Sequence, residues 1–245
     1  MHSDSIHQLT RMMREAESIV FFGGAGVSTA SGIPDFRSAH GIYAGPHGKT
    51  YEEMLSHDDM LLHPEAFWAF YRSVMLYPDA LPNDAHRALS AMEATGKLAA
   101  VITQNIDGLH QAAGSQKVVE LHGSVHRNHC MKCHAPFSLE EILPMDTVPR
   151  CPHCGGVIRP DVVLYGEPLE DHITEAALGA IRTCDLLIVG GTSLVVYPAA
   201  GLIQYRRARC NLALINRDET DYDRQAELVI HQDVGQVLME SWGGV

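Results

Sequence analysis

Short apolar runs punctuate the chain: SIVFFGG (18–24), LAAVITQN (98–105), VVELHG (118–123), VVLYG (162–166), DLLIVGG (185–191), NLALINR (211–217) and ELVIH (227–231). Several are apolar throughout instead of alternating, as strands buried on both faces must be. Between them, apolar residues recur at helical spacing over 4–17, 64–75, 85–95, 170–182 and 197–207. Strand, glycine turn, helix and strand in succession predict an α/β fold with an open, doubly wound parallel sheet. In that architecture ligands bind beyond the carboxyl ends of the strands.

Two stretches break the rhythm. Residues 186–205, LLIVGGTSLVVYPAAGLIQY, carry no charge. Gly190, Gly191, Thr192, Ser193 and Pro198 divide them into a strand, a polar turn and a helix, so no membrane span is expected. Between about 124 and 159 the apolar pattern lapses while cysteine, histidine and proline concentrate, which reads as a small inserted module. The N-terminal residues have no apolar core of a secretion signal, so the expected location is cytoplasmic.

The module contains Cys130-Met-Lys-Cys133 and Cys151-Pro-His-Cys154, two Cys-x-x-Cys pairs separated by 17 residues. This spacing delivers four thiolates to one tetrahedral Zn²⁺, with a redox pair or an iron–sulfur cluster as the alternatives. Four thiolates fill the coordination sphere, so such a zinc is structural, and His129, His134 and His153 are not needed as ligands. Cys184 and Cys210 stand alone inside apolar segments. A formal charge of −12 argues against a nucleic-acid partner and suits lysine-bearing protein segments.

Gly23, Gly24 and Gly26 follow the first strand directly. Glycines there let backbone amides approach a phosphate, and a following helix would aim its N-terminus at the same charge. Thr29 occupies the place of the third glycine of a Gly-x-Gly-x-x-Gly fingerprint, so a plain tight turn remains the alternative. Other strand ends carry polar residues: Gln104, Asn105 and Asp107; His122; Thr192 and Ser193; Asn216. A parallel sheet gathers these ends on one edge. His122 titrates near neutrality and is the natural general base, whereas His110 and His126 are expected at the surface.

GAGVSTASGIPDFRS, TQNIDGLH, ELHG, the two Cys-x-x-Cys pairs, RPDVVLYGE, GTSLVVYPA and INRDET, in this order and spacing, resemble the sirtuin family of NAD-dependent protein lysine deacylases. The resemblance runs from about residue 18 to 233. It implies a Rossmann-like NAD-binding domain over 1–37, 81–123 and 160–245. The smaller domain then comprises a helical part at 38–80 and a zinc ribbon at 124–159. NAD⁺ is the implied co-substrate, Zn²⁺ the structural metal, and acetyl-lysine proteins or peptides the partners of a chain expected to be monomeric.

Carried over by position, the resemblance assigns Ala25, Thr29, Phe36 and Arg37 to the cofactor loop. Gln104, Asn105, Ile106 and Asp107 fall in the ribose and nicotinamide pocket, with Asn105 also catalytic and Asp107 reading the carboxamide. His122 becomes the catalytic base as well as a cofactor contact. Thr192, Ser193, Asn216, Arg217, Asp233 and Val234 take the adenosine side. Val163, Leu164, Gly166, Glu167 and Val196 form the groove in which the peptide adds as a strand. The implied reaction consumes NAD⁺ and yields nicotinamide, O-acetyl-ADP-ribose and free lysine.

Relatives that remove succinyl or malonyl groups carry a tyrosine and, three positions on, an arginine. Here Tyr71 is followed by Val74, and Arg72 lies on another helix face, so acetyl or other uncharged acyl groups are expected. The rival readings are mono-ADP-ribosyl transfer on the same scaffold and a non-catalytic zinc-ribbon binding module.

Overall fold

The computed structural model describes residues 2–35 and 49–243. Its strands are β1 (Ile19–Gly23), β2 (Leu98–Thr103), β3 (Val118–Glu120), β4 (Gly123–Cys130), β5 (Pro136–Ser138), β6 (Ile158–Val162), β7 (Leu186–Gly190), β8 (Asn211–Ile215) and β9 (Leu228–Ile230). Six of them form one sheet in the order β3-β2-β1-β7-β8-β9, and every neighbouring pair is parallel.

Alternate residues of the central strands supply two apolar layers. Ile19, Phe21, Val101 and Ile188 face one way, and the helices His2–Glu15, Asp84–Ala94 and Val234–Trp242 cover them. Val20, Phe22, Ile102, Leu187 and Val189 face the other way, under Asp171–Thr183 and the 3₁₀ segment Ala199–Tyr205. All five residues of β1 and of β7 are buried, which is why those runs show no alternation in sequence. The chain departs to opposite sides from β1 and β7, so the switch point lies between Gly23 and Gly190, which are register partners. A ligand crevice belongs just beyond them.

A second sheet, β5-β4-β6, is antiparallel. It packs with the helix Pro64–Val74 around Phe67, Trp68 and Tyr71, and the zinc-module residues Cys130 and Cys151 belong to the same apolar cluster. Among the described residues no helix is long and apolar enough to cross a membrane.

Several sequence expectations change. The run at 162–166 is not a strand of the large sheet; its first residue ends β6 and pairs antiparallel with β4. An apolar run reports burial, and here the small domain provides it. Strand β4, GSVHRNHC, has a half-exposed, polar face and gave no apolar signal. The segment 197–207 forms 3₁₀ helix over Ala199–Tyr205, and a further helix, Val234–Trp242, lies beyond the predicted ones. His110 is buried, 1% exposed, because the short helix Leu109–Ala112 tucks it against Phe21 and His86, with ring centres 6.4 and 4.7 Å away. Cys184 and Cys210 are not alone: they face each other inside the core with Sγ atoms 3.5 Å apart.

Candidate active site

The glycine loop leaves β1 and passes under the end of β7. Gly26 donates its amide to the Gly191 carbonyl at 2.8 Å. A Cβ at Gly26 would lie 2.8 Å from Gly191 Cα and 2.9 Å from its carbonyl oxygen. The glycine is therefore required first by loop-against-loop packing, which brings the ends of β1 and β7 together at the crevice. As far as Asp35 the loop continues as two 3₁₀ turns, Ala25–Val27 and Thr29–Ser31, instead of the expected helix.

Behind the loop lies a polar cluster at the end of β2. Ser28, fully buried, donates its hydroxyl to Asp107 Oδ2 at 2.6 Å and accepts from Asn105 Nδ2 at 3.0 Å. The other Asp107 oxygen accepts the Leu109 amide at 2.9 Å. Asn105 is braced further by its own amide, which donates to Thr103 Oγ1 at 3.0 Å. Gln104 reaches across the switch point and donates to Thr192 Oγ1 at 3.0 Å. The sequence does not single out Ser28, because a lone hydroxyl beside Thr29 carries no spacing signal.

His122 follows β3 and lines the same cavity. Its Nδ1 lies 2.9 Å from the Gln104 carbonyl. A carbonyl only accepts, so Nδ1 carries the proton and Nε2 keeps the free lone pair of a base. Burial pushes its pKa below the ordinary histidine value, outweighing the opposite effect of the Gln104 bond. Gly123 then turns the chain into β4 with φ +77°, and a Cβ there would fall 1.9 Å from the Asp161 carbonyl oxygen. Only glycine passes from the base into the small domain at that point.

On the far side, Asn216 Oδ1 accepts the Thr192 amide at 2.9 Å. Its Nδ2 is buried without a partner among the described residues, while the residue lines the cavity. That orphaned donor and the packed glycine loop, whose glycines carry no side chain to shield the backbone, fit a dinucleotide. Arg217 pairs with Asp233 at 2.9 Å, and Asp233 caps the helix Val234–Trp242 by accepting the Gln236 amide at 3.0 Å.

One cavity of about 630 Å³ joins these groups. It is lined by Ala25, Thr29, Gln104, Asn105, Ile106, Asp107 and His122 from the cofactor and base sets. Thr192, Ser193, Asn216, Arg217, Asp233 and Val234 line it as well, and so do Val163, Leu164, Gly166, Glu167 and Val196. Phe36 and Arg37 lie outside the described residues.

The cavity also touches Tyr71, Val74 and Met75 of the small domain. Burial pushes the Tyr71 hydroxyl well above the ordinary tyrosine range, so it stays neutral. Arg72 faces elsewhere: its guanidinium donates to the carbonyls of Leu143, Ile142 and Asp146 at 3.0, 3.0 and 3.2 Å. His126, expected at the surface, is exposed and lies 3.0 Å from the Asp107 carbonyl.

In the small domain the ligand atoms of Cys130, Cys133, Cys151 and Cys154 all lie within 4.8 Å of one another. The Cys130–Cys154 and Cys133–Cys151 separations are 3.5 and 3.6 Å. Tetrahedral zinc with Zn–S bonds of about 2.3 Å requires sulfurs roughly 3.8 Å apart, so the four thiols fit Zn²⁺. Burial raises the Cys130 thiol, but backbone N–H bonds from Cys133 and Lys132 outweigh it and bring its pKa to about 6. No histidine joins the cluster among the described residues; His129 pairs with Asp161 instead.

A six-stranded parallel sheet with a crevice at its switch point, and a four-cysteine module beside it, define an α/β protein built to hold a dinucleotide and a zinc ion. The chain belongs to the Sir2 family, whose model matches residues 24–198. It is 52% identical over 237 residues to an NAD-dependent protein deacetylase of Clostridium perfringens, covering 96% of this chain and 97% of that protein. A Clostridium acetobutylicum protein of the same description is 54% identical over 238 residues, with the same coverage. Among solved structures, a Sir2 variant with deacetylated p53 peptide and 3'-O-acetyl ADP ribose superposes with TM-score 0.89. It shares 39% identity over 97% of this chain and 98% of that one. A Sir2–p53 peptide–NAD⁺ complex superposes with TM-score 0.87 at 38% identity, again over 97% and 98% of the two chains. The activity is NAD⁺-dependent protein deacetylation, with a structural zinc.

Proposed function

We propose that the cleft takes an acetylated lysine of a protein or peptide as well as NAD⁺, with His122 as the general base. The observation that carries this reading is the His122–Gln104 bond, which fixes the tautomer and leaves the Nε2 lone pair available in the cavity that Ser28, Asn105 and Asp107 also line. NAD⁺, when bound, would supply an electrophilic ribose carbon and nicotinamide as its leaving group. Asn105 and Asp107 orient the nicotinamide ribose end. His122 Nε2 removes a ribose hydroxyl proton, and the walls from Ile106 and the small domain exclude water. The adenosine end rests on Thr192, Ser193, Asn216, Arg217, Asp233 and Val234.

The peptide adds along Val163, Leu164, Gly166 and Glu167, with Val196 opposite. This reading keeps the division into a Rossmann-like domain (1–37, 81–123, 160–245) and a small domain (38–80, 124–159), except that β6 carries the small domain on to Val162. It places the protein in the cytoplasm, where reduced thiols serve metals in preference to disulfides. Val74 gives the acyl pocket no cation, and the engagement of Arg72 with carbonyls of 142–146 supports a preference for uncharged acyl groups.

Mass spectrometry of acetyl- and succinyl-lysine peptides, with and without NAD⁺, tests the proposal. Loss of acetyl only with NAD⁺, matched by nicotinamide and acetylated ADP-ribose, is the expected result. ADP-ribose left on protein, or an untouched peptide, would overturn it.

A further inference from the structure

After β6 the chain crosses from the small sheet towards the helix Asp171–Thr183 and passes the cavity at Val163, Leu164, Gly166 and Glu167. Its inner side is tied down. The Val163 amide donates to the His122 carbonyl at 3.0 Å, and the Tyr165 amide donates to the Leu55 carbonyl at 3.1 Å. The turn itself is held by a charged pair. Arg159 Nη1 and Nη2 donate to the two Glu167 oxygens at 2.7 and 3.0 Å, a fork on a carboxylate.

Both partners do more than meet each other. Arg159 Nη2 also donates to the Val162 carbonyl at 3.1 Å. Glu167 Oε2 accepts the Leu164 amide at 2.8 Å, and the Glu167 amide returns to the Leu164 carbonyl at 3.0 Å. The side chains are only 16% and 19% exposed. Burial alone would raise the Glu167 carboxyl, but the bonds from Arg159 and Leu164 hold it below the ordinary glutamate value. His57 Nε2 lies 3.9 Å from Oε1.

We propose that Arg159 is a positioning residue for the acyl-lysine substrate, acting through Glu167 to fix the 162–167 edge on which the peptide adds. The inference rests on the deacetylase reading above and changes the role of Glu167 within it. Both Glu167 oxygens are engaged by Arg159 and Leu164, so its carboxylate holds the edge in shape. Because Val163 hangs from the His122 carbonyl, the edge and the base share one frame. A guanidinium suits this place because a planar fork satisfies two carboxylate oxygens and a carbonyl at once, which a single ammonium cannot do in the same geometry.

The test uses full-length, zinc-loaded Arg159→Met, Arg159→Lys and Glu167→Gln proteins. It reads the Kd of a fluorescent acetyl-lysine peptide by anisotropy, and the KM values for peptide and NAD⁺ with kcat. Losing the fork in R159M should raise peptide Kd and KM about tenfold while kcat at saturation stays within about threefold. The NAD⁺ KM and zinc content should stay at wild-type values. R159K should recover part of the loss, to within about threefold of wild type. E167Q should move peptide Kd in the same direction by a smaller factor, and it decides the matter if R159M does not fold. Wild-type peptide Kd in E167Q and in any folded R159M would overturn the proposal. So would an NAD⁺ KM that rises in step with that of the peptide. A wild-type protein that binds the peptide without turning it over would instead refute the deacetylase reading, and the anisotropy would still decide the role of Arg159.

Discussion

Gly26 and Gly191 meet backbone to backbone, with the Gly26 amide 2.8 Å from the Gly191 carbonyl oxygen. Their contact joins the loop after β1 to the turn after β7, the two edges of the cofactor crevice. Neither loop can yield to a side chain without moving the other.

Gly26→Ala should therefore cost about 1–3 kcal/mol of stability, the usual scale of overpacking against fixed backbone. It should also raise the NAD⁺ KM by about tenfold or more, because one displaced crevice edge loses several contacts at once. Thermal unfolding and NAD⁺ titration of the purified variant check both numbers. An unchanged NAD⁺ KM would mean that the loop does not set the crevice.

His110 should make the protein acid-sensitive well above the carboxylate range. Burial pushes its pKa down to about 3, and the nearby His86 adds to the effect. Burial also takes His86 to about 4, against the opposing pull of Asp107. Neither His110 nitrogen has a hydrogen-bond partner among the described residues. Both folded pKa values lie below the unfolded value of about 6.5, so the unfolded chain binds more protons throughout the window between them. Stability is thus full above about pH 6.5 and falls as pH drops towards 4, by up to about 1.4 kcal/mol per pH unit for each histidine. Urea unfolding from pH 7.5 to 5 should show this slope, and His110→Leu should flatten it. An equal slope in that variant would contradict the account.

Zinc removal should be visible from Trp68. That side chain is fully buried in the same cluster as Cys130 and Cys151, whereas Trp242 packs against the large sheet. In a Trp242→Phe background, chelation should release about one Zn²⁺ per chain and shift the Trp68 emission to the red. Structural zinc sites contribute folding energy directly, so the small domain should loosen as the metal leaves. An unchanged spectrum after complete metal loss would show that the helical part stands without the zinc module.

Much of this was legible in the sequence, for a physical reason. Strands β1, β7 and β8 are buried on both faces, so their apolar runs had no competing explanation, and their polar ends marked the crevice edge. The four zinc cysteines announced themselves by spacing. Strand β4 was not legible because its buried and exposed residues follow no period of two, its pairing with β6 being irregular between Ser124 and Asn128. His110 was misplaced because nothing local says that a short helix will press an imidazole against Phe21. The facing of Cys184 and Cys210 depends on the pairing of β7 with β8, which sequence spacing does not fix, and the fork from Arg159 to Glu167 closes a turn whose shape the residues RPDVVLYGE do not announce.

The central claim is that His122, held by Gln104, is the base of an NAD⁺-dependent deacetylation. Its most direct test is the turnover of an acetyl-lysine peptide by His122→Ala, measured alongside zinc content, folding and NAD⁺ binding. Loss of a general base typically costs about 10²- to 10⁴-fold. The account predicts a loss of that size or larger, with zinc, fold and NAD⁺ binding retained. A His122→Ala protein that deacetylates at the wild-type rate would contradict it.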